Sequence, residues 1–173
     1  MMWKQQIIIV ILFGLTSCYT VFDKEGAKRV AVEIFDKNKP DFRVIGNICD
    51  SLMAKYPKDT FDVSYAYNSK GFGILHRKEN GLLDADAKGI FDHNNLGVSY
   101  DEMKQICDRN YILSIRIRQG RADIRLNGLQ ARDYEMFIVY TKANYCESSP
   151  KKNDKDWCDS IVPDYFVSGR YIE

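Results

Sequence analysis

Two segments that follow the first two dozen residues show the spacing of amphipathic helices. Apolar side chains recur every three or four positions over residues 26–37 and again over residues 41–55. Pro40 separates the two segments, Asp41 is a candidate N-cap for the second, and Pro57 stops it. We therefore predict two helices, each of which buries one side against the rest of the fold.

The pattern then changes to the period of two that is typical of β-strands. Apolar and polar residues alternate over 61–67, and 72–77 can return as a second strand. A short helix capped by Ser99 follows. Residues 134–141 are apolar on both sides, as a central strand would be, and 165–172 is a candidate final strand.

Residues 111–126 form the clearest unit of the chain. A two-residue Gln-Gly turn at the middle would place Arg116 opposite Asp123 and Leu113 opposite Leu126. In that register the aliphatic side chains share one face and the charges share the other, which predicts a hairpin and a cross-strand Arg116–Asp123 pair. We expect a single α+β domain in which N-terminal helices pack on one face of an antiparallel β-sheet.

The first eighteen residues have a different character. Lys4 precedes an apolar run at 7–15, and small residues then lead to Cys18. This is the layout of a secretory signal peptide, and the run is shorter than the roughly 20 residues of a spanning helix. The sequence Leu15-Thr16-Ser17-Cys18 resembles the lipobox of bacterial lipoproteins.

That resemblance implies cleavage of the signal peptide, residues 1–17, and attachment of fatty acyl chains such as palmitate to Cys18. Residues 18–24 would then tether a single domain at 25–173 to membrane lipid. Residue 19 is Tyr, and the absence of an Asp directly after the lipidated cysteine favours the outer membrane, facing the periplasm.

The charge balance argues against one class of partner. The full chain carries 25 Lys and Arg residues and 24 Asp and Glu residues, and cleavage before Cys18 would remove only Lys4 from these counts. The mature chain is therefore neutral. Because nucleic-acid binders usually show a strong basic excess, we expect no nucleic-acid partner.

Four cysteines remain after Cys18. An even number in an exported chain predicts two disulfides, for which three connectivities are possible. We favour Cys146–Cys158, because a polar segment separates these residues, and Cys49–Cys107 would then follow. Zinc is the competing interpretation, but no C-x2-C pair is present.

The chain offers few groups for catalysis. His76 and His93 are the only histidines, and no Gly-x-Ser-x-Gly, His-Glu-x-x-His or P-loop motif occurs. A small hydrolase that uses His93 with Asp84, Asp86 or Asp92 is the enzymatic alternative. We expect no catalytic residues and no cofactor.

One loop partly resembles an EF-hand calcium loop. Asp84, Asp86 and a glycine fall at matching positions, but Lys88 replaces one oxygen ligand and Asn95 replaces the bidentate Glu. We therefore expect no metal site.

Four arginines of the hairpin form a candidate binding patch on its charged face: Arg116, Arg118, Arg121 and Arg125. Guanidinium groups suit planar anions and are enriched at protein interfaces. The leading hypothesis is a membrane-anchored envelope lipoprotein with a non-enzymatic binding or structural role, whose partner is an envelope protein or component. A tethered inhibitor or immunity protein is an alternative within the binding class.

Overall fold

The computed structural model describes residues 23–65, 71–84, 89–91, 95–131, 134–143, 146 and 156–171. The expected signal peptide, Cys18 and most of the expected tether lie outside this part of the chain. The helices are α1 (Lys24–Lys37), α2 (Lys39–Lys55) and α3 (Tyr100–Arg109). The strands are β1 (Thr60–Tyr65), β2 (Phe72–Arg77), β3 (Leu83–Asp84), β4 (Ile112–Arg118), β5 (Arg121–Ala131), β6 (Tyr134–Thr141), β7 (Trp157–Val162) and β8 (Tyr165–Tyr171).

The predicted helices are present, but α2 begins earlier than its pattern indicated. Pro40 lies in the first turn of α2, where its missing N–H needs no partner, and Asn38 is the N-cap residue. Asp41 lies inside the helix, so its prediction as the N-cap is wrong. The N-cap predicted for α3 is confirmed, because the Ser99 hydroxyl accepts a hydrogen bond from the Glu102 amide at 3.1 Å.

The strands form one antiparallel sheet in the order β3-β2-β1-β4-β5-β6-β8-β7. Each neighbouring pair is antiparallel, so the chain is a single α+β domain, as predicted. Strand β3 is only two residues long and lies at one edge, and β7 lies at the other edge.

The β4–β5 hairpin has the predicted register near its turn and a different one at its open end. Arg116 pairs with Asp123 as expected, but Leu126 pairs with Ile112 instead of Leu113. An irregularity between Ile112 and Ser114 shifts the register. The shift buries Ile112 and leaves Leu113 half-buried, so the expectation that every aliphatic side chain shares one face is wrong.

Buried side chains from helices and strands join one hydrophobic core. Helix α1 contributes Ala27, Ala31 and Phe35, α2 contributes Phe42, Ile45 and Ile48 among others, and α3 contributes Met103, Ile106 and Cys107. The strands contribute alternate residues, which include Ile115, Ile117, Ile124, Met136, Ile138 and Val167. A second, small cluster joins Val139 and Phe166 with the partly buried Phe137, Cys146 and Cys158.

The four cysteines in the described residues form one disulfide rather than two. Cys146 and Cys158 are bonded, which is the pairing that the sequence favours. Cys49 on α2 and Cys107 on α3 are free and buried, so the expected second disulfide is wrong. Each thiol instead packs as a small apolar group in the core, and burial raises the pKa of both to about 12.

Within the described residues, every helix is too short or too polar to cross a lipid bilayer.

Candidate functional site

A groove of about 380 Å³ crosses the sheet over residues of six strands. We call it the arginine groove. Because side chains alternate between the two sides of a strand, most of these residues lie opposite the strand residues that enter the main core, whereas Tyr65 also packs against that core. The lining comprises Asp62, Ser64, Tyr65, Leu75, Leu113, Ser114, Arg116, Arg118, Asp123, Arg125, Glu135, Phe137 and Arg170.

Ion pairs at the β1–β4–β5 end of the groove differ from the predicted one. Arg116 and Asp123 are register partners, yet Arg116 Nε donates to Asp62 Oδ1 across to β1 at 2.6 Å. Asp123 instead accepts from Arg121 Nη2 on its own strand at 2.8 Å, and Arg118 Nη2 lies 3.9 Å from the same oxygen. The predicted Arg116–Asp123 ion pair is therefore wrong, although the register behind it is right.

The other end of the groove combines charge with an aromatic ring. Arg125 Nε lies 3.1 Å from Glu135 Oε1. The guanidinium of Arg170 lies 5.3 Å from the centre of the Phe137 ring, a cation–π arrangement. Among the residues that the structure describes, no carboxylate forms an ion pair with Arg170.

In the groove's ion pairs the guanidinium is more exposed than its carboxylate. The exposed fractions are 55% against 24% for Arg116 and Asp62, 41% against 12% for Arg118 and Asp123, and 36% against 28% for Arg125 and Glu135. A partner that approaches the groove therefore meets arginine first. The local surface therefore carries more positive charge than the net charge of +1 for the whole chain indicates.

The guanidinium of Arg116 is also oriented for a further ligand. Its Nε is engaged by Asp62, and within the described part of the chain its two Nη groups have no hydrogen-bond acceptor. These two groups form the planar fork that binds carboxylate or phosphate through two parallel hydrogen bonds. The carboxylate beneath thus holds the guanidinium in place and leaves its outer donors free.

Three of the four predicted patch arginines line the groove together, and the fourth does not. Arg121 is only 21% exposed and supports Asp123 instead. Sequence reasoning did not find Arg170, Asp62 or Glu135, although each lies at an alternate position of a predicted strand. The strand order, which places β1 and β6 on either side of the hairpin and β8 next to β6, was needed to find them.

His76 forms a buried pair with an aspartate. Its Nε2 lies 2.6 Å from Asp59 Oδ2, and the Phe61 ring stacks on the imidazole at 4.4 Å between centroids. The other oxygen of Asp59 accepts from the Glu79 amide at 3.0 Å. Among the described residues, no hydroxyl or thiol is hydrogen-bonded to His76. The pair therefore ties the segment before β1 to β2, without a nucleophile of the kind that an acyl-transfer site requires.

The other positions considered as candidates for catalysis or metal binding fall mostly outside the described residues. His93, Asp86, Lys88 and Asp92 all lie there. Asp84 belongs to β3, where it is the register partner of His76. In the described ranges, no group of three or more metal-ligating side chains comes together.

A pocket of about 610 Å³ lies between the helices and the ends of β6 and β8. Tyr140 Oη donates to Asp50 Oδ2 at 2.9 Å, and Lys142 Nζ lies 2.7 Å from the same oxygen. Tyr165 Oη donates to the carbonyl of Phe42. Burial, followed by the hydrogen bond to Asp50, raises the pKa of Tyr140. These hydroxyls are neutral and already bonded to the protein, and Arg43 adds one guanidinium to the pocket lining, whereas four guanidinium groups line the arginine groove.

Neither a family model, nor a curated protein, nor a solved structure matches this chain.

Proposed function

We propose that this chain is a membrane-anchored envelope lipoprotein with a non-enzymatic binding role. It is held by acyl chains on Cys18 in the outer membrane, facing the periplasm. The lipobox-like sequence before Cys18 supports the anchor. The domain binds an envelope protein through the arginine groove, and the outward guanidinium groups of that groove are the observation on which this proposal rests.

We infer further that the three helices cover one face of the sheet and leave the other face for the partner. The support is the composition of the main core, which unites buried residues of all three helices with alternate residues of the strands. The groove lies mostly over the intervening residues of those strands. Because no helix residue is among the described residues that line the groove, a partner can approach it directly.

The partner of the groove is a protein segment that carries carboxylates. Arg116, Arg118 and Arg125 present donors outward, and bidentate arginine–carboxylate pairs are strong and specific. Leu113 and Phe137 in the same lining supply apolar contact. Arginine and aromatic side chains together are the composition enriched where binding energy concentrates at interfaces.

The anchor is tested by replacing Cys18 with Ser. We expect the variant to leave the membrane fraction, because stable attachment needs more than one acyl chain and the Ser variant cannot receive them. Membrane fractionation and intact mass of the wild-type protein report the result. Wild-type protein without added acyl mass, or a variant that still sediments with membranes, would contradict lipidation.

The groove is tested by replacing Arg116, Arg118 and Arg125 together with Ser. We expect a tenfold or greater loss of affinity, about 1.4 kcal/mol or more, for a fluorescent oligoglutamate peptide, because the outward donors are removed. Loss of the partner captured from solubilised membranes is the second readout. The matched control replaces the exposed Arg29, Arg43 and Arg77, which lie off the groove, and should bind like wild type.

Equal binding by the two triple variants would refute the groove as the binding surface. Thermal melts of both variants show whether the domain stays folded, since surface ion pairs contribute little to stability.

A further inference from the structure

The start of the domain is fixed against one edge of the sheet. Lys24, the first residue of α1, places its Nζ 4.8 Å from the centre of the Trp157 ring on β7. One turn later, Lys28 Nζ lies 2.8 Å from Asp159 Oδ2 on the same strand. Because β7 is the edge strand, the chain enters the domain at that edge.

The distance from this edge to the proposed lipid is short. Five residues, 19–23, follow Cys18 before α1 begins. Even fully extended, five residues span only about 18 Å. The opposite edge, β3, is seven strand positions away from β7, or about 34 Å at the usual spacing of neighbouring strands. The tether therefore keeps the start of α1, and with it the β7 edge, close to the lipid, whereas it sets no such limit on β3.

We propose that the β7 edge lies at the lipid headgroups and that the sheet stands edge-on to the membrane, with β3 as its far edge. This inference rests on the proposed acylation of Cys18 and names the surface that the anchor brings to the bilayer. Trp157 is partly buried against the main core, so the exposed Lys24 over its ring is the group that suits this position, since lysine is attracted to anionic headgroups.

The orientation determines where the arginine groove meets its partner. The groove residues on β5, β4 and β1 lie three to five strand positions beyond β7, which is about 14 to 24 Å at the usual spacing. The guanidinium groups of Arg116, Arg118 and Arg125 thus stand clear of the headgroups, whereas Arg170 on β8 lies nearer to them. A protein in the aqueous compartment reaches the groove without first contacting the anchoring bilayer.

Trp157 itself reports the orientation. The chain has two tryptophans, and Trp3 belongs to the segment that cleavage removes, so Trp157 is the only tryptophan of the mature protein. We would reconstitute the acylated protein in vesicles of phosphatidylethanolamine and phosphatidylglycerol that contain a phospholipid with a spin-labelled headgroup. Because the tether is short, we expect the spin label to reduce Trp157 emission about twofold or more.

Two controls test whether quenching is specific to a tryptophan at the β7 edge or would affect any tryptophan of a vesicle-bound protein. The first moves the tryptophan to the far edge by combining Trp157→Phe with Leu83→Trp, where Leu83 on β3 is 57% exposed. Its emission should change by less than about a tenth, since the far edge is about 34 Å away. The second keeps the wild-type domain and inserts a long Gly-Ser segment after Tyr19, which should remove most of the quenching of Trp157.

Acylated protein in which Trp157 is not quenched, or in which a tryptophan at residue 83 is quenched more strongly, would overturn the orientation and leave the anchor intact. Protein that carries no acyl mass would refute the anchor, and the inference with it. Quenching that persists unchanged with the long insertion would show that the tether does not set the orientation. That variant retains the wild-type domain, so the test does not depend on how well Trp157→Phe folds.

Discussion

The two sides of strand β4 have opposite chemistry on one backbone. Ile115 and Ile117 are fully buried, whereas Arg116 and Arg118 between and beside them are 55% and 41% exposed. Burying an isoleucine side chain stabilises a fold by about 1.5–3 kcal/mol, while an exposed ion pair contributes at most about 1 kcal/mol. The buried side therefore holds the fold together, and the groove side can carry arginines for binding at little cost to stability.

The largest expected effect comes from comparing two truncations, one of a buried side chain and one of a groove side chain of β4. Ile115→Ala should lower the free energy of unfolding by about 3–4 kcal/mol, because it leaves a cavity in the core. Leu113→Ala, on the groove side, should lower it by less than about 1 kcal/mol, because Leu113 is half-buried and lines an open groove. Urea unfolding measures both. Equal losses would mean that the two sides of β4 are not distinct.

A smaller difference in stability is expected between two glycine-to-alanine variants, one at a closely packed glycine and one at a glycine with open space beside it. A Cβ at Gly46 on α2 would lie 2.7 Å from Tyr165 Oη and 2.9 Å from the Tyr140 ring, so Gly46→Ala should destabilise by about 1–3 kcal/mol. At Gly73 on β2 a Cβ would meet nothing within 4 Å.

Gly73→Ala should accordingly leave stability unchanged or raise it slightly, because alanine restricts the unfolded chain. Thermal denaturation of the two variants provides the measurement. A stable Gly46→Ala protein would show that the contact between α2 and the two tyrosines can relax.

The smallest expected effect is the difference in stability contributed by two ion pairs with different surroundings. Arg109 donates to Asp41 through Nε and Nη2 at 2.5 Å each, and the buried Asn110 donates to the same carboxylate at 2.6 Å. The hydrogen bond from Arg109 is the main reason that the pKa of Asp41 is lowered. A lowered pKa in the folded state means that the carboxylate stabilises the fold above its unfolded pKa of about 3.9, and that this contribution is lost as the pH falls through the folded value.

Asp41→Asn should therefore lower the free energy of unfolding by about 1–2 kcal/mol at neutral pH, and the difference from wild type should vanish in strong acid. The control, Asp62→Asn in the arginine groove, should cost less than about 1 kcal/mol, as exposed pairs do. Urea titrations across the acid range test both. A loss at Asp41 that does not depend on pH would show that the hydrogen-bond geometry, and not the charge, is what matters.

Much of the architecture was predictable because its signals are local. Helix spacing, the Ser99 cap and the alternation in β4 and β5 each depend on residues a few positions apart. The structure contains all of them, apart from the irregularity between Ile112 and Ser114. One prediction failed because a local pattern fitted two structures. Asp41 could be the N-cap of a helix or lie in its first turn. It lies in the first turn, because the helix begins before Pro40.

Contacts between segments far apart in the chain could not be predicted from the sequence. The even number of cysteines predicted two disulfides, but whether Cys49 meets Cys107 depends on how α2 and α3 pack, and both thiols stay free in the core. Arg116 could pair with its neighbour on β5 or on β1, and only the strand order brings Asp62 within reach. The arginine groove exists for the same reason, since its lining comes from strands far apart in the chain.

By itself, the sequence determined the element types, the α+β class, the hairpin turn and the charged side of that hairpin, because side-chain periodicity is a property of neighbouring residues. Tertiary structure alone decided which carboxylate lies beneath each guanidinium. It also decided that Cys49 and Cys107 remain free thiols and that α1 begins at the β7 edge of the sheet. These features depend on the packing of distant segments, and no local pattern encodes that packing.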